Sequence, residues 1–95
     1  MQIDLIATIP ALDETVDAVE RHLLEYAPIV RSEPGNLRFE TYRDESAPAL
    51  LVIERYESQE AFKAHLDSQE NAEFNRVLQA LLQGVGSRLT MLRAI

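Results

Sequence analysis

The sequence predicts an α+β fold of the ferredoxin-like type, β-α-β-β-α-β, with helices laid against an antiparallel sheet. Three observations predict it. Four stretches carry strand patterning, two regions carry apolar residues at helical spacing, and the two kinds of segment follow one another in that order. Strong turn signals stand between them: Pro34-Gly35, where Pro presets φ and Gly tolerates a positive φ, and the polar run from Asp44 to Pro48.

Gln2 to Ile9 alternates, with Ile3, Leu5, Ala7 and Ile9 on one face and Asp4, Ile6 and Thr8 on the other. Pro10 ends that ladder because it has no N–H to donate. Asp13 is the expected N-cap of a helix running to about Arg31, in which Val16, Val19, Leu23, Tyr26, Ala27 and Val30 share a face. Pro28 predicts a kink, or a helix that stops near Ala27, because proline removes one hydrogen bond and crowds the preceding turn. Asn36 to Arg43 reads as the second strand, with Leu37, Phe39 and Thr41 opposite Arg38, Glu40 and Tyr42. A hairpin loop of about five residues leads to a third strand, Leu50 to Glu57. Its continuous run Leu50-Leu51-Val52-Ile53 predicts burial on both faces. Ser58 caps a short helix ending at Asp67, with Glu60 in its positive first turn. Ser68 caps a longer one, Gln69 to about Gln83, whose stripe is Phe74, Val77, Leu78, Leu81 and Leu82, and Gly84 stands at its C′ position. Arg88 to Ile95 is the last strand.

Helices cover one face of such a sheet, yet apolar residues lie on both. Soluble monomers rarely leave so large an apolar face bare. A second copy packed face to face resolves this, so a homodimer with two-fold symmetry is expected.

Ninety-five residues predict one domain, 1–95. A net charge of −7 argues against a nucleic-acid or anionic-membrane surface. No apolar run approaches the roughly 18–20 residues that span a bilayer, and Met1-Gln2-Ile3-Asp4 has no basic leader, so no membrane partner and a cytoplasmic location are expected. The absence of cysteine fits a reducing compartment and removes thiolate nucleophiles and Cys metal sites. No HxH, HxxxH, phosphate-loop or dinucleotide pattern occurs, so no metal and no bound cofactor is expected.

His65 is the leading candidate for chemistry. On a helix, Ala61, Phe62, His65 and Leu66 fall within about 140° of one another, while Glu60, Lys63 and Asp67 lie elsewhere. The imidazole therefore points toward the sheet, either as a core-edge histidine held by a backbone carbonyl or as a proton carrier near neutral pH. His22, beside the stripe of the first helix, reads as a partly exposed structural residue. The substrate-binding candidates are Tyr42 and Tyr56, whose phenols can bond a carbonyl or hydroxyl, with Asn36 and Arg38 from the strands and Phe62 and Phe74 as pocket wall. All but Asn36 have a plainer reading: cross-strand aromatic packing for the tyrosines, pairing with Glu40, Glu54 or Glu57 for Arg38, and core for the phenylalanines.

The stretches Glu33-Pro34-Gly35-Asn36-Leu37-Arg38-Phe39-Glu40 and Leu51 to Ser68 (LVIERYESQEAFKAHLDS) resemble the antibiotic biosynthesis monooxygenase family of small proteins. The similarity extends over essentially the whole chain. It implies a dimeric α/β barrel with a pocket in each protomer between sheet and helices, and it places a His in the motif where His65 stands. This sequence departs from relatives that read His-Leu-x-Ser-Pro-His-Phe, since Glu70 replaces the second His. Haem-degrading relatives carry a Trp near the position of His65, a haem-ligating His near Asn75, and an Asn where Ala7 and Thr8 stand; all are missing. The Trp of some quinol-oxidising relatives is missing too. The resemblance implies a cofactor-independent monooxygenase that deprotonates a small phenolic or quinol substrate, which then reduces O2. Two other readings stand beside it: an isomerase or tautomerase using His65 as acid and base, and a non-catalytic dimeric module that binds a small molecule.

Overall fold

A computed structural model describes residues 1–95. The elements are β1 (Ile3–Pro10), α1 (Val16–Arg31), β2 (Asn36–Arg43), β3 (Ala49–Tyr56), α2 (Gln59–Asp67), α3 (Gln69–Leu81) and β4 (Arg88–Leu92). The four strands form one antiparallel sheet in the order β2-β3-β1-β4, the ferredoxin-like arrangement, and within the chain the sheet stays open rather than closing into a barrel. No helix is long and apolar enough to cross a membrane.

Period-two patterning sets which side chains meet the helices. Leu5, Ala7 and Ile9 of β1, Leu50, Val52 and Tyr56 of β3, and Phe39 of β2 point inward. All of these but Leu5 and Tyr56 form one core with Val19, Leu23, Tyr26 and Val30 of α1, Phe74 and Leu78 of α3, and Leu82 just after α3. Each such large side chain contributes about 1.5–3 kcal/mol when fully buried. Leu5, Tyr56 and Phe62 form a smaller cluster at the α2 end.

The helix caps differ from expectation in two places, and of the two alternatives at Pro28 the stop near Ala27 does not occur. Asp13 does not cap α1. Thr15 stands at the cap with no side-chain bond to the helix, and its hydroxyl instead accepts from the Leu12 N–H at 3.1 Å, so a turn from Leu12 leads into the helix. Pro28 does not stop α1, which runs on to Arg31. Pro28 and Leu24, whose carbonyl loses its partner, are both exposed, so water can take that bond. At the end of α3, Gly84 is one position later than expected. Gln83 takes the left-handed conformation (φ 53°), and the Gly84 N–H reaches the Gln79 carbonyl at 3.0 Å, the longer bond of a Schellman motif. Ser58 and Ser68 cap α2 and α3 as expected, accepting from the N–H groups of Ala61 and Asn71 at 3.1 and 3.0 Å.

The run at the start of β3 is buried on one face only. Leu50 and Val52 are sealed under the helices, whereas Leu51 and Ile53 are half-buried on the other side, where no element of the chain lies over them. Ile6 shares that outer face with them. Ion pairs cross it as well, Asp4–Arg55 at 2.6 Å and Arg38–Glu40 at 2.8 Å. β4 ends at Leu92 rather than Ile95, and as an edge strand all of its residues are exposed.

Candidate functional site

The turn before β2 and the helix after β3 meet at Gly35. A Cβ on Gly35 would collide with the methyl group of Ala61, so only glycine lets α2 sit this close. The Gly35 carbonyl also accepts from the Glu57 N–H at 2.9 Å, which ties the turn to the start of α2. This close approach sets Glu33 beside His65, 32 residues away in sequence.

His65 Nδ1 lies 2.9 and 3.1 Å from the two Glu33 carboxylate oxygens. A carboxylate only accepts, so Nδ1 carries the proton and donates it. In the neutral ring Nε2 is then the basic nitrogen, and it has no protein partner. The ring is 6% exposed, packed between Tyr56 (centroids 5.1 Å apart), Phe62 (6.5 Å) and Tyr26 (6.4 Å). Ser68 fixes the end of α2 by donating to the His65 carbonyl at 2.9 Å.

His65 separates two spaces. On the Glu33 side an open cleft of about 590 Å³ is lined by polar and acidic groups, among them Asn36, Glu57, Glu60 and Glu70. On the other side a cavity of about 200 Å³ lies between sheet and helices, walled mainly by apolar residues that include Leu23, Phe39, Val52, Phe62 and Phe74. Its polar groups are few: His65, Glu54, Tyr26, Asn71, Asn75 and Ser87. Leu66 and Leu89, both exposed, stand at its rim. A mostly apolar enclosure with a few placed polar groups is the usual form of a small-molecule site.

Besides Glu33, the sequence reading passed over Glu54. Its side of β3 is the inward one, in phase with Leu50, Val52 and Tyr56, and that alternation was the available signal. It is 5% exposed, and its Oε1 accepts from the Tyr56 hydroxyl at 2.8 Å. Burial pushes its carboxyl up to about 7, against the opposing effect of the Tyr56 bond. Burial, and next the charge of Glu54, raise the Tyr56 phenol, and burial followed by Glu33 raises that of Tyr26, so both stay protonated. Tyr26 donates to Asn71 Oδ1 at 3.1 Å and so joins α1 to α3 across the cavity. No three His, Asp or Glu side chains converge as a metal site would need.

The remaining candidates divide by location. Phe62 and Phe74 wall the cavity together with His65, and Tyr56 stands behind Glu54. Asn36 lies at the open cleft, where its amide donates to the Arg38 carbonyl at 3.2 Å. Arg38 and Tyr42 are on the outer face of the sheet, both engaged with Glu40. His22 is half-buried, stacked on Phe74 with Nε2 3.1 Å from the Phe74 carbonyl.

Residues 3–77 match the family described as antibiotic biosynthesis monooxygenase. Comparison with curated proteins gave no match. Among solved structures, Rv0793 from Mycobacterium tuberculosis superposes with a TM-score of 0.90 at 21% identity, over 100% of this chain and 96% of that one. PA3566 from Pseudomonas aeruginosa superposes with a TM-score of 0.87 at 27% identity, over 99% and 94%. A structure described as an antibiotic biosynthesis monooxygenase does so with a TM-score of 0.88 at 20% identity, over 100% and 99%.

Proposed function

The chain belongs to the antibiotic biosynthesis monooxygenase family, and from that premise we propose that it oxidises a small phenolic or quinol substrate with O2 and without a bound cofactor. One observation carries this reading: a histidine whose Nδ1 is held by a carboxylate and whose Nε2 is free beside a mostly apolar cavity between sheet and helices. Nε2 takes the phenolic proton. Glu33 holds the tautomer and stabilises the imidazolium that forms, as the carboxylate of a Ser-His-Asp triad does for its histidine. The phenolate is the electron-rich form that reduces O2. For a hydroquinone the balance is quinol plus O2 giving hydroxyquinone plus water: one oxygen atom enters the ring, the other leaves as water, and the substrate supplies all four electrons. The apolar walls of the cavity limit the water around the anion. Its volume, about 200 Å³ against about 300–1,000 Å³ for ordinary ligand pockets, favours substrates of one ring or little more.

Turnover of a hydroquinone panel under heavy-isotope O2 tests this. One labelled oxygen per product, with O2 consumed in equal amount, is the expected result. Equal turnover under air and under nitrogen points instead to an isomerase acting through the same base. Saturable binding with no turnover points to a binding module.

We also propose that the outer sheet face meets the same face of a second copy. Ile6, Leu51 and Ile53, uncovered within the chain, support this. Sedimentation should give a dimer at micromolar concentration, and Ile53→Asp should shift it to monomer. A well-folded wild-type monomer at that concentration sinks the idea.

A further inference from the structure

Glu54 is a buried acid on the cavity wall that deprotonation of the substrate by His65 does not use. Its two oxygens differ. Oε1 receives the Tyr56 hydroxyl at 2.8 Å. Oε2 has no protein partner, yet no buried side-chain oxygen of the molecule is both sealed and unpaired, so Oε2 opens onto free space. The free space that Glu54 lines is the cavity it shares with His65. No cation neutralises it there. The groups around it are Tyr56 on its own strand, Tyr26 from α1, Glu33 after α1 and His65 from α2, while its partners in β1 and β2, Leu5 and Phe39, are apolar. A buried carboxyl among such neighbours keeps its proton, and a hydroxyl donated to Oε1 leaves that proton on Oε2, facing the substrate.

We propose that Glu54 is a second catalytic residue of this cavity, an acid that protonates the departing oxygen when the O–O bond of a ring hydroperoxide breaks. The inference rests on the oxygenase reading above. O2 adds to the deprotonated ring, and the peroxide so formed takes back the proton held by the His65 imidazolium, giving a carbon-bound hydroperoxide. In the next step the hydrogen on that carbon leaves as a proton to a base, His65 Nε2 once it has shed its first proton. The C–H electrons form the new C=O bond, the O–O bond breaks, and the departing hydroxide takes the Oε2 proton of Glu54 and leaves as water. The imidazolium then returns a proton to the Glu54 carboxylate. Substrate carbon is oxidised, O2 is the oxidant, and no other reductant is needed. The chemistry narrows the substrate class to hydroquinones with an unsubstituted ring carbon beside an oxygen-bearing one, since a C–H must be lost there.

The test compares wild type, Glu54→Gln and His65→Ala on a hydroquinone panel, recording O2 uptake, peroxide release and heavy-oxygen incorporation. Glutamine keeps the shape and can still accept from Tyr56 but cannot deliver a carboxyl proton. Expected for Glu54→Gln is O2 uptake that continues while oxygenated product per O2 falls by about 10²-fold, the lower range for one proton-transfer group, with peroxide released in its place. His65→Ala should slow the uptake itself. Glu54→Gln that couples O2 to product as wild type does overturns the role of Glu54 and leaves the oxygenase reading intact. A wild type with no O2-dependent turnover across the panel overturns both. Infrared spectroscopy provides a readout without turnover. At pH 6 the wild type should show a protonated-carboxyl C=O band that Glu54→Gln lacks, and no such difference overturns the proposal.

Discussion

Glu40-x-Tyr42 and Glu54-x-Tyr56 are the same three-residue pattern on neighbouring strands, β2 and β3, and they face opposite ways. In each, the tyrosine hydroxyl donates to the glutamate Oε1, at 3.2 Å in the first pair and 2.8 Å in the second. On the outer face Arg38 sits against Glu40, and that bond holds its carboxyl below the ordinary range. On the inner face no cation stands near, and burial pushes Glu54 up to about 7. The tyrosine bond lowers both carboxyls but decides neither. A nearby cation governs one, desolvation governs the other, and only the second leaves a carboxyl able to give up a proton near neutral pH.

The largest expected effect tests whether the inner pair belongs to a reactive site at all. His65→Ala should lower turnover by about 10²–10⁴-fold, the range for one positioned proton carrier. His65→Gln should lose most of the same activity, because an amide keeps a hydrogen bond to Glu33 but cannot exchange the proton. Stability should fall by no more than about 1–2 kcal/mol, one buried hydrogen bond. A glutamine variant with wild-type kinetics removes the reactive role and leaves a core histidine.

Next in size is the cost of keeping Glu54 buried. Its folded value of about 7 lies above the ordinary 4.5, so the folded chain holds a proton that the unfolded chain has released. Stability from this group is therefore complete below about pH 4.5 and declines as pH rises toward 7. At about 1.4 kcal/mol per pH unit the loss is on the order of 3 kcal/mol. Denaturant titrations from pH 4 to 8 should show this slope in wild type and a flatter one in Glu54→Gln. The same slope in both assigns the pH dependence to another group.

The elements were legible in the sequence because their signals are local. Ser58, Ser68 and Pro34-Gly35 mark boundaries through bonds that reach only a few residues. The sequence left two courses open at Pro28, a kink or a stop, because its cost depends on whether the orphaned Leu24 carbonyl meets water, which depends on which side of α1 faces the sheet. The strand phases were legible too, and they place Glu54 inward and Glu40 outward. The chemical difference between the two glutamates was not, because it comes from Arg38 reaching one and the core enclosing the other. The link from Glu33 to His65 was least legible, since it exists only once Gly35 lets α2 close on the turn.

Tyr56→Phe sharpens the comparison from within the inner pair. Removing the hydroxyl leaves Glu54 Oε1 unpaired, at about 1–3 kcal/mol for a buried group that loses its partner. It also removes the one bond that draws the carboxyl down, so the pH of half-ionisation of Glu54 should rise, read by the infrared carboxyl band across a pH series. A fall instead means that the hydroxyl was not opposing burial.

The smallest effect belongs to the matching change outside, Tyr42→Phe. Tyr42 is 51% exposed, its bond to Glu40 is the longer of the two, and Glu40 keeps Arg38 as a partner at 2.8 Å when the hydroxyl is gone. Water replaces what is lost, so the unfolding midpoint of a dilute sample should not move. The outer face differs from the inner one in a further respect, because a second copy of the chain covers it in the proposed dimer. Covering Tyr42 would desolvate Glu40 and Arg38 and make the hydroxyl count, but only where the dimer forms. The midpoint difference between wild type and Tyr42→Phe should therefore be absent at low protein concentration and grow as concentration rises. A difference that is present and constant down to the monomeric range shows that Tyr42 is already buried within one chain, which would erase the contrast between the two Glu-x-Tyr pairs.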